Sequence, residues 1–444
     1  MISRRSVFGI FVAGAVLLAV VLGRPRGPLA AQQPSPSPTP APVIDASLGT
    51  PANLPWQIVD PTFSALTGAQ AYAGILDRAA YRIEVPDNWN GELLMYAHGY
   101  AGEQPLLRVT NPPIREHLIQ FGYAWAASSY HENGYDPDLA VQDTLDLRDY
   151  FMKRWGTPAH TYLLGTSMGG HIVVASLEQH PGVYDAALAE CGVLMQAQEA
   201  DYLTANAALA DYISGVHALP AASAQAAADA IKSQIMPALG PPTDFTGLGK
   251  AWESAVKYLT GGPRPFRHQG MVDFNALASG SLTTQPGTSP LTLAGTDDYF
   301  TFHIDPGLGF TDADLNANVY RKVADPAFRN ADTNPTFALP TGQISVPLLT
   351  MHTTGDNFVP IMMEIGYRKL VNAAGNGDLL VQRGVRAPDH CQFDLADREQ
   401  GWDDLMNWAH NGVKPEGDNF LAPDLTELGR RWTHHVLPGD NAGY

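Results

Sequence analysis

Residues 160–171 read His-Thr-Tyr-Leu-Leu-Gly-Thr-Ser-Met-Gly-Gly-His, and no other stretch limits the possible folds as much. A short apolar run, Tyr162 to Leu164, enters Gly165-Thr166-Ser167-Met168-Gly169, and an amphipathic segment, Ile172 to Leu177, leaves it. This pattern predicts a strand, a sharp turn and a helix, with the Ser167 hydroxyl exposed at the top of a parallel sheet. The glycines flank the serine because the turn brings backbone so close that a Cβ would clash. A lone serine is a weak nucleophile, so the turn carries chemistry only if a base, an acid and an oxyanion hole follow.

The chain around the turn has the rhythm such a sheet requires. Strands are expected at Tyr81 to Val85, Leu93 to Ala97, Tyr123 to Ala127 and Ala186 to Ala189. A helix is expected from Ile114 to Phe121, and a longer one from Asp138 to Trp155 with Pro137 just before its start. Alternation of this kind predicts an α/β fold, a doubly wound, mostly parallel sheet with helices on both faces. The rhythm stops near Met195 and resumes at Val346 to Met351, followed by a strand at Leu379 to Val381. Residues 196–340 between them start Ala-rich and turn Gly/Pro/Thr-rich, with Phe266, Tyr299, Phe300 and Phe302. Their position, after a strand, predicts a large inserted cap over the carboxyl ends of the strands. Residues 44–195 and 341–444 then form the two parts of one core. Residues 43–78 carry no readable pattern.

The first residues are a targeting segment by composition. Arg4 and Arg5 precede an apolar stretch from Val7 to Gly23, and a Pro/Ser/Thr/Ala tract runs on to about Pro42. Residues 1–31 are expected to act as an export signal or, uncleaved, a signal anchor, with 32–43 as a stiff linker. Membrane contact is expected only in the anchored case. The chain carries a net charge of −18, and beyond the N-terminus it has no Lys/Arg cluster, which argues against a nucleic-acid partner. Its two cysteines, Cys191 and Cys391, are both placed at the carboxyl edge of the expected sheet. In an exported protein this invites a disulfide; the alternative is two buried free thiols.

The missing partners of the serine can be sought at strand ends. Asp356, in His352-Thr353-Thr354-Gly355-Asp356-Asn357, lies just beyond the resumed strand, and His390 follows the last one. In that arrangement His390 takes the Ser167 proton and returns it to the leaving group, while Asp356 fixes the imidazole tautomer. Glu190 also ends a strand and is the alternative acid. Asp389 is expected to face solvent, and His98, His131, His171 and His352 to be packing or loop residues. The turn His98-Gly99-Tyr100 offers one oxyanion donor, the N–H of Tyr100; the N–H of Met168 offers the second. No His/Asp/Glu set has metal-ligand spacing and no Gly-rich phosphate loop is present, so no cofactor and no metal are expected.

The ordered set His98-Gly99, Gly165-Thr166-Ser167-Met168-Gly169, Gly355-Asp356 and His390 resembles the α/β-hydrolase superfamily over about Tyr81 to His410, the cap excepted. Two finer stretches, Pro86-Asp87-Asn88-Trp89-Asn90-Gly91 and His390-Cys391, are similar to the tannase and feruloyl esterase family. That family places a cysteine beside its nucleophile, where this chain has Thr166. The pair Tyr100 and Met168 resembles the oxyanion hole of bacterial cutinases and polyester hydrolases, which lack a large cap. The resemblance implies an exported serine hydrolase that cleaves a small or polymeric carboxylic ester through an acyl-enzyme. The alternatives are a peptidase of the same fold, with cap acids such as Asp297, Asp298, Asp312 and Asp314 holding a substrate amine, or a lipase. A non-catalytic binding protein is the reading from another class.

Overall fold

The computed structural model describes residues 56–102, 104–273, 295–324, 326–329, 339–435 and 437–438. The expected export segment and linker lie outside these residues, as does part of the expected cap, 274–294 and 330–338. Among the described residues no helix is long and apolar enough to cross a membrane.

In chain order the strands are β1 (Gln57–Ile58), β2 (Ala69–Leu76), β3 (Ala79–Pro86), β4 (Glu92–Ala97), β5 (Leu106–Leu107), β6 (Ala124–Ser128), β7 (His160–Thr166), β8 (Ala186–Glu190), β9 (Leu348–Thr353) and β10 (Leu380–Val385). Eight of them form one sheet in the order β10-β9-β8-β7-β4-β6-β3-β2. From β6 through β10 every pairing is parallel, while β2 and β3 join as an antiparallel edge. The hairpin strand β2 corrects the sequence reading, which found nothing in residues 43–78. Its burial is only partial, so its sequence, Ala-Gln-Ala-Tyr-Ala-Gly-Ile-Leu, lacks the apolar run that marks the central strands.

The sheet is covered on both faces, and alternation along each strand divides its side chains between two cores. Leu93, Met95 and Ala97 of β4 join one core, with Leu163 of β7. Leu94 and Tyr96, with Tyr162 and Leu164, join the other. The helices α1 (Arg115–Gln120), α2 (Pro137–Trp155) and α3 (Met168–Gln179) supply the crossovers. The start of α2 is fixed by Pro137 in its first turn and by Asp136, whose side chain accepts from the Leu139 N–H at 3.1 Å. A late helix, Leu395–Asn411, was not expected from the sequence because it is rich in charge. It buries Trp402, Leu405, Met406 and Trp408 against the second face, and a capping box between Asp394 and Asp397 starts it.

Between β8 and β9 the chain leaves the sheet. Helix α4 (Ala197–Ser214) and the later helices Gly247–Leu259 and Arg267–Asp273 build a separate apolar core around Tyr202, Leu209, Ile235 and Trp252. The Trp252 indole donates to Asn206 at 2.9 Å inside that core. Each such fully buried side chain contributes roughly 1.5–3 kcal/mol, so this excursion supplies its own stability and does not lean on the sheet alone.

Candidate active site

The neighbours of β4 decide where a site can form. The chain runs from β4 to β6 on one side and later to β7 on the other, so the loops after β4 and β7 diverge and leave a crevice at their carboxyl ends. Ser167 sits there, between β7 and α3, with φ 61° and ψ −119°. A left-handed φ is uncommon for a residue with a Cβ, and the surroundings enforce it. A Cβ on Gly165 would meet the Gly169 carbonyl oxygen at 2.0 Å, and one on Gly169 would meet that of Ala97 at 2.0 Å. The turn is further held by the Ser167 N–H donating to the Glu190 carbonyl at 2.9 Å.

His390 and Asp356 come to the serine from loops after β10 and β9. The His390 Nε2 lies 2.9 Å from Ser167 Oγ, and its Nδ1 lies 2.6 Å from Asp356 Oδ2. Asp356 is fully buried, and its other oxygen accepts the N–H groups of Phe358 and Val359, both at 2.9 Å. An acceptor-only carboxylate with its second oxygen fixed in this way holds one orientation, and so fixes which imidazole nitrogen carries the proton. Phe358 covers the His390 ring edge-on at 5.2 Å. The two loops are tied together where Gly355 N–H donates to the Ala387 carbonyl at 2.9 Å.

Glu190, the other possible acid, is engaged elsewhere: it pairs with Arg398 of the late helix and accepts from Thr166 Oγ1 at 3.1 Å. Asp389 is exposed, and its carboxylate accepts the His390 N–H at 2.7 Å. Cys191 and Cys391 form a disulfide with Cα atoms 5.3 Å apart, joining the end of β8 to the residue after His390. Among the described residues the one grouping at metal-ligand distance is Cys191, His390 and Cys391, and its two sulfurs are already bonded to each other.

The loop after β4 runs alongside the serine. A Cβ on Gly99 would stand 3.0 Å from that of Ser167 and 3.1 Å from the Thr166 carbonyl oxygen. Tyr100 follows on this loop, part-exposed at the crevice, and Met168 opens α3. His98 shapes the turn: its Nδ1 donates to the Gly99 carbonyl at 2.7 Å, and its ring stacks on Tyr130 at 4.2 Å. Burial depresses the His98 pKa, which keeps that imidazole neutral. His171 bonds the Tyr135 hydroxyl at 3.0 Å, and His131 pairs with Asp143 at 2.9 Å.

Residues the sequence did not mark come from the segment between β8 and β9. Arg264, fully buried, donates to the Thr354 carbonyl at 2.7 Å and to that of Asp356 at 3.4 Å. Burial lowers its pKa to about 9. The Tyr202 hydroxyl donates to the Asn357 carbonyl at 2.7 Å, and the Asn357 amide donates to the Arg267 carbonyl at 3.1 Å. Glu199 of α4 is buried, and neither carboxyl oxygen has a hydrogen-bond partner among the described residues. Burial, and then the negative charge of Asp356, raise its pKa well above the usual carboxylate range, which favours its protonated form. These contacts join residues far apart in sequence, and only the Pro/Gly punctuation around Arg264 gave any local sign of an ordered turn.

The four acids of this segment named in the sequence reading each make a hydrogen bond within the segment. Asp297 accepts the Lys322 N–H at 2.5 Å, and Asp298 accepts from Thr296 at 2.9 Å. Asp312 accepts the Ile304 N–H at 2.9 Å, and Asp314 caps a helix through Thr311.

A mostly parallel sheet in this strand order, with the serine turn after β7 and the loops of Asp356 and His390 after β9 and β10, decides the fold. The chain has the α/β-hydrolase fold. Residues 73–240, less than half of the chain, match the model of a tannase-like family of unknown function. A curated relative, the o-phthalyl amidase of Xanthobacter agilis, is 28% identical over 116 residues, 26% of this chain. The match spans about a quarter, 25%, of that relative's length. Among solved structures, feruloyl esterase B from Aspergillus oryzae aligns over 78% of this chain and 82% of its own, at 14% identity and a TM-score of 0.44. The acylaminoacyl peptidase of Pyrococcus horikoshii aligns over 80% and 45%, at 12% identity and a TM-score of 0.38.

Proposed function

We propose that this α/β-hydrolase is an exported serine hydrolase that cleaves a carboxylic ester through an acyl-enzyme. The observation that carries the reading is the unbroken hydrogen-bond chain from Ser167 Oγ through His390 to buried Asp356, at 2.9 and 2.6 Å. In this mechanism His390 removes the Ser167 proton as Oγ attacks the ester carbonyl. The oxyanion that forms meets the N–H groups of Tyr100 and Met168, the latter at the positive end of α3. His390 then gives its proton to the departing alcohol, and a water repeats the sequence to release the acid. Export is supported by the apolar segment behind Arg4 and Arg5 and by the Cys191–Cys391 bridge, since such bonds persist in oxidising compartments.

Amide hydrolysis is the second reading, favoured by the o-phthalyl amidase relative. It uses the same acyl-enzyme with an amine as leaving group. An aminopeptidase is less well supported, because the cap acids available to hold a substrate amine already bond within the cap. A fluorophosphonate probe tests the mechanism: labelling at one site, lost in Ser167→Ala, is expected, and labelling that survives the substitution would overturn it. A panel of aryl esters, feruloyl esters and phthalyl amides separates the two substrate classes, with ester turnover expected to exceed amide turnover.

A further inference from the structure

The loop that carries Asp356 is hydrogen-bonded from two sides, and each side belongs to a different part of the chain. Its N–H groups face the sheet. Thr354 donates to the Val385 carbonyl and Gly355 to that of Ala387, both at 2.9 Å, and Asp356 donates to that of Thr353 at 3.3 Å. Three of its carbonyls accept instead from side chains of the segment between β8 and β9. Thr354 accepts from Arg264 Nε at 2.7 Å, Asp356 from Arg264 Nη2 at 3.4 Å, and Asn357 from the Tyr202 hydroxyl at 2.7 Å. All three loop residues are buried, where a carbonyl without a donor is costly, so these contacts restrict the paths the loop can take.

The shape of Arg264 suits this task. Its side chain is fully buried, and among the described residues its hydrogen bonds all go to uncharged oxygens. Nη1 turns back to its own segment, to Thr260 Oγ1 and the Gly262 carbonyl, both at 3.1 Å. Nε and Nη2 share one edge of the planar guanidinium, and that edge holds the two carbonyls on either side of Gly355. A lysine could supply the charge there but not the fork. The Asp356 carboxylate hangs from the backbone so held. One of its oxygens is fixed by the Phe358 and Val359 N–H groups, and the other meets His390 Nδ1 at 2.6 Å. Any shift of the backbone from Thr354 to Asp356 therefore reaches the contact with the imidazole.

We propose that Arg264 is a positioning residue: by holding the Thr354 and Asp356 carbonyls it sets where the Asp356 carboxylate meets His390, while Tyr202 holds the next carbonyl of the loop. A third tie runs the other way, from the Asn357 amide to the Arg267 carbonyl at 3.1 Å. The segment between β8 and β9 is thereby bonded to the loop of Asp356 and not merely packed against it. The effect on rate rests on the proposed roles of Ser167, His390 and Asp356, and it makes them depend on a side chain that touches none of the reacting atoms.

A double-mutant cycle tests this, on full-length protein shown by circular dichroism to be folded and assayed well below its melting temperature, so that lost folding is not counted as lost rate. With an aryl ester, kcat of Arg264→Gln should fall about 10²-fold, with KM within about threefold of the wild type. In Asp356→Asn, which has no carboxylate to position, the same substitution should cost less than about threefold. Arg264→Lys, which keeps one donor and no fork, should lose about tenfold. Wild-type kcat in Arg264→Gln overturns the proposal. So does an equal loss in both backgrounds, because Arg264 would then act without Asp356. If Arg264→Gln does not fold, Arg264→Lys carries the same cycle. Full turnover in Asp356→Asn is a separate failure, that of the acid itself, and it shows with Arg264 unchanged.

Discussion

Asp356 and Glu190 are both fully buried acids at strand ends, and their partners separate them. Asp356 bonds His390, whereas Glu190 bonds Arg398 and Thr166. Asp356→Asn is therefore expected to lower ester turnover by about 10⁴-fold with the fold intact, since an amide would hold His390 in the wrong tautomer. Glu190→Gln should act on stability instead. It leaves Arg398 without its buried counter-charge, a change that typically costs about 3–5 kcal/mol, and circular-dichroism melting compared with turnover separates the two effects. Glu199 gives a third outcome, in stability against pH. Its folded pKa is raised by burial and by Asp356, so its protonated form is favoured by folding. That contribution is complete below the unfolded value and is lost as pH rises through the folded one. Glu199→Gln, which stays neutral, should gain thermal stability over the wild type as pH rises above the ordinary carboxylate range and show no such gain near pH 4.5, the unperturbed value. A pH-independent difference would reject this account.

At the scale of elements, the candidate site adjoins a junction between the segment after β8 and the loops that carry Asp356 and His390. Helix Arg267–Asp273 brings the backbone of Gly270 so close that an added Cβ would lie 1.8 Å from the Gly355 carbonyl oxygen and 2.6 Å from that of Pro388. Those residues flank Asp356 and lead to His390. Gly270→Ala should therefore displace both loops, costing about 1–3 kcal/mol in stability. It should cost more in rate than that figure implies, because small displacements of His390, the proposed general base, are expensive. Single-turnover kinetics beside a melting curve would check it; turnover equal to the wild type would show that the junction has no bearing on the site. The break in rhythm marks the segment between β8 and β9 in the sequence, but it could not show that one glycine of that segment abuts the loop of Asp356.

For the molecule as a whole, the disulfide joins residues 200 apart in sequence. Closing a loop of that length in the unfolded chain is worth up to about 5 kcal/mol in the loop-entropy model. The bond also anchors the residue next to His390 to the end of β8, beside the serine turn. Reduction is expected to depress turnover at temperatures where the protein is still folded, measured by activity and far-UV circular dichroism on one sample. Activity and structure lost together would mean that the bridge serves stability alone.

Much of this fold was legible in local sequence because its central strands are buried on both faces and read as uninterrupted apolar runs. The turn around Ser167 was legible because its geometry admits only glycine at Gly165 and Gly169. Strand ends then placed Asp356 and His390 near it, and both cysteines near each other. The edge strand β2 and the helix Leu395–Asn411 were not legible, since half-buried or charge-rich segments carry little periodic signal. Only the tertiary structure gave Asp356 to His390 and Glu190 to Arg398, set Arg264 against the acid loop, and brought His352 and Glu364 together behind the strand ends. A sequence specifies which side chains are buried; which buried charge faces which depends on distances across the sheet that no local pattern encodes.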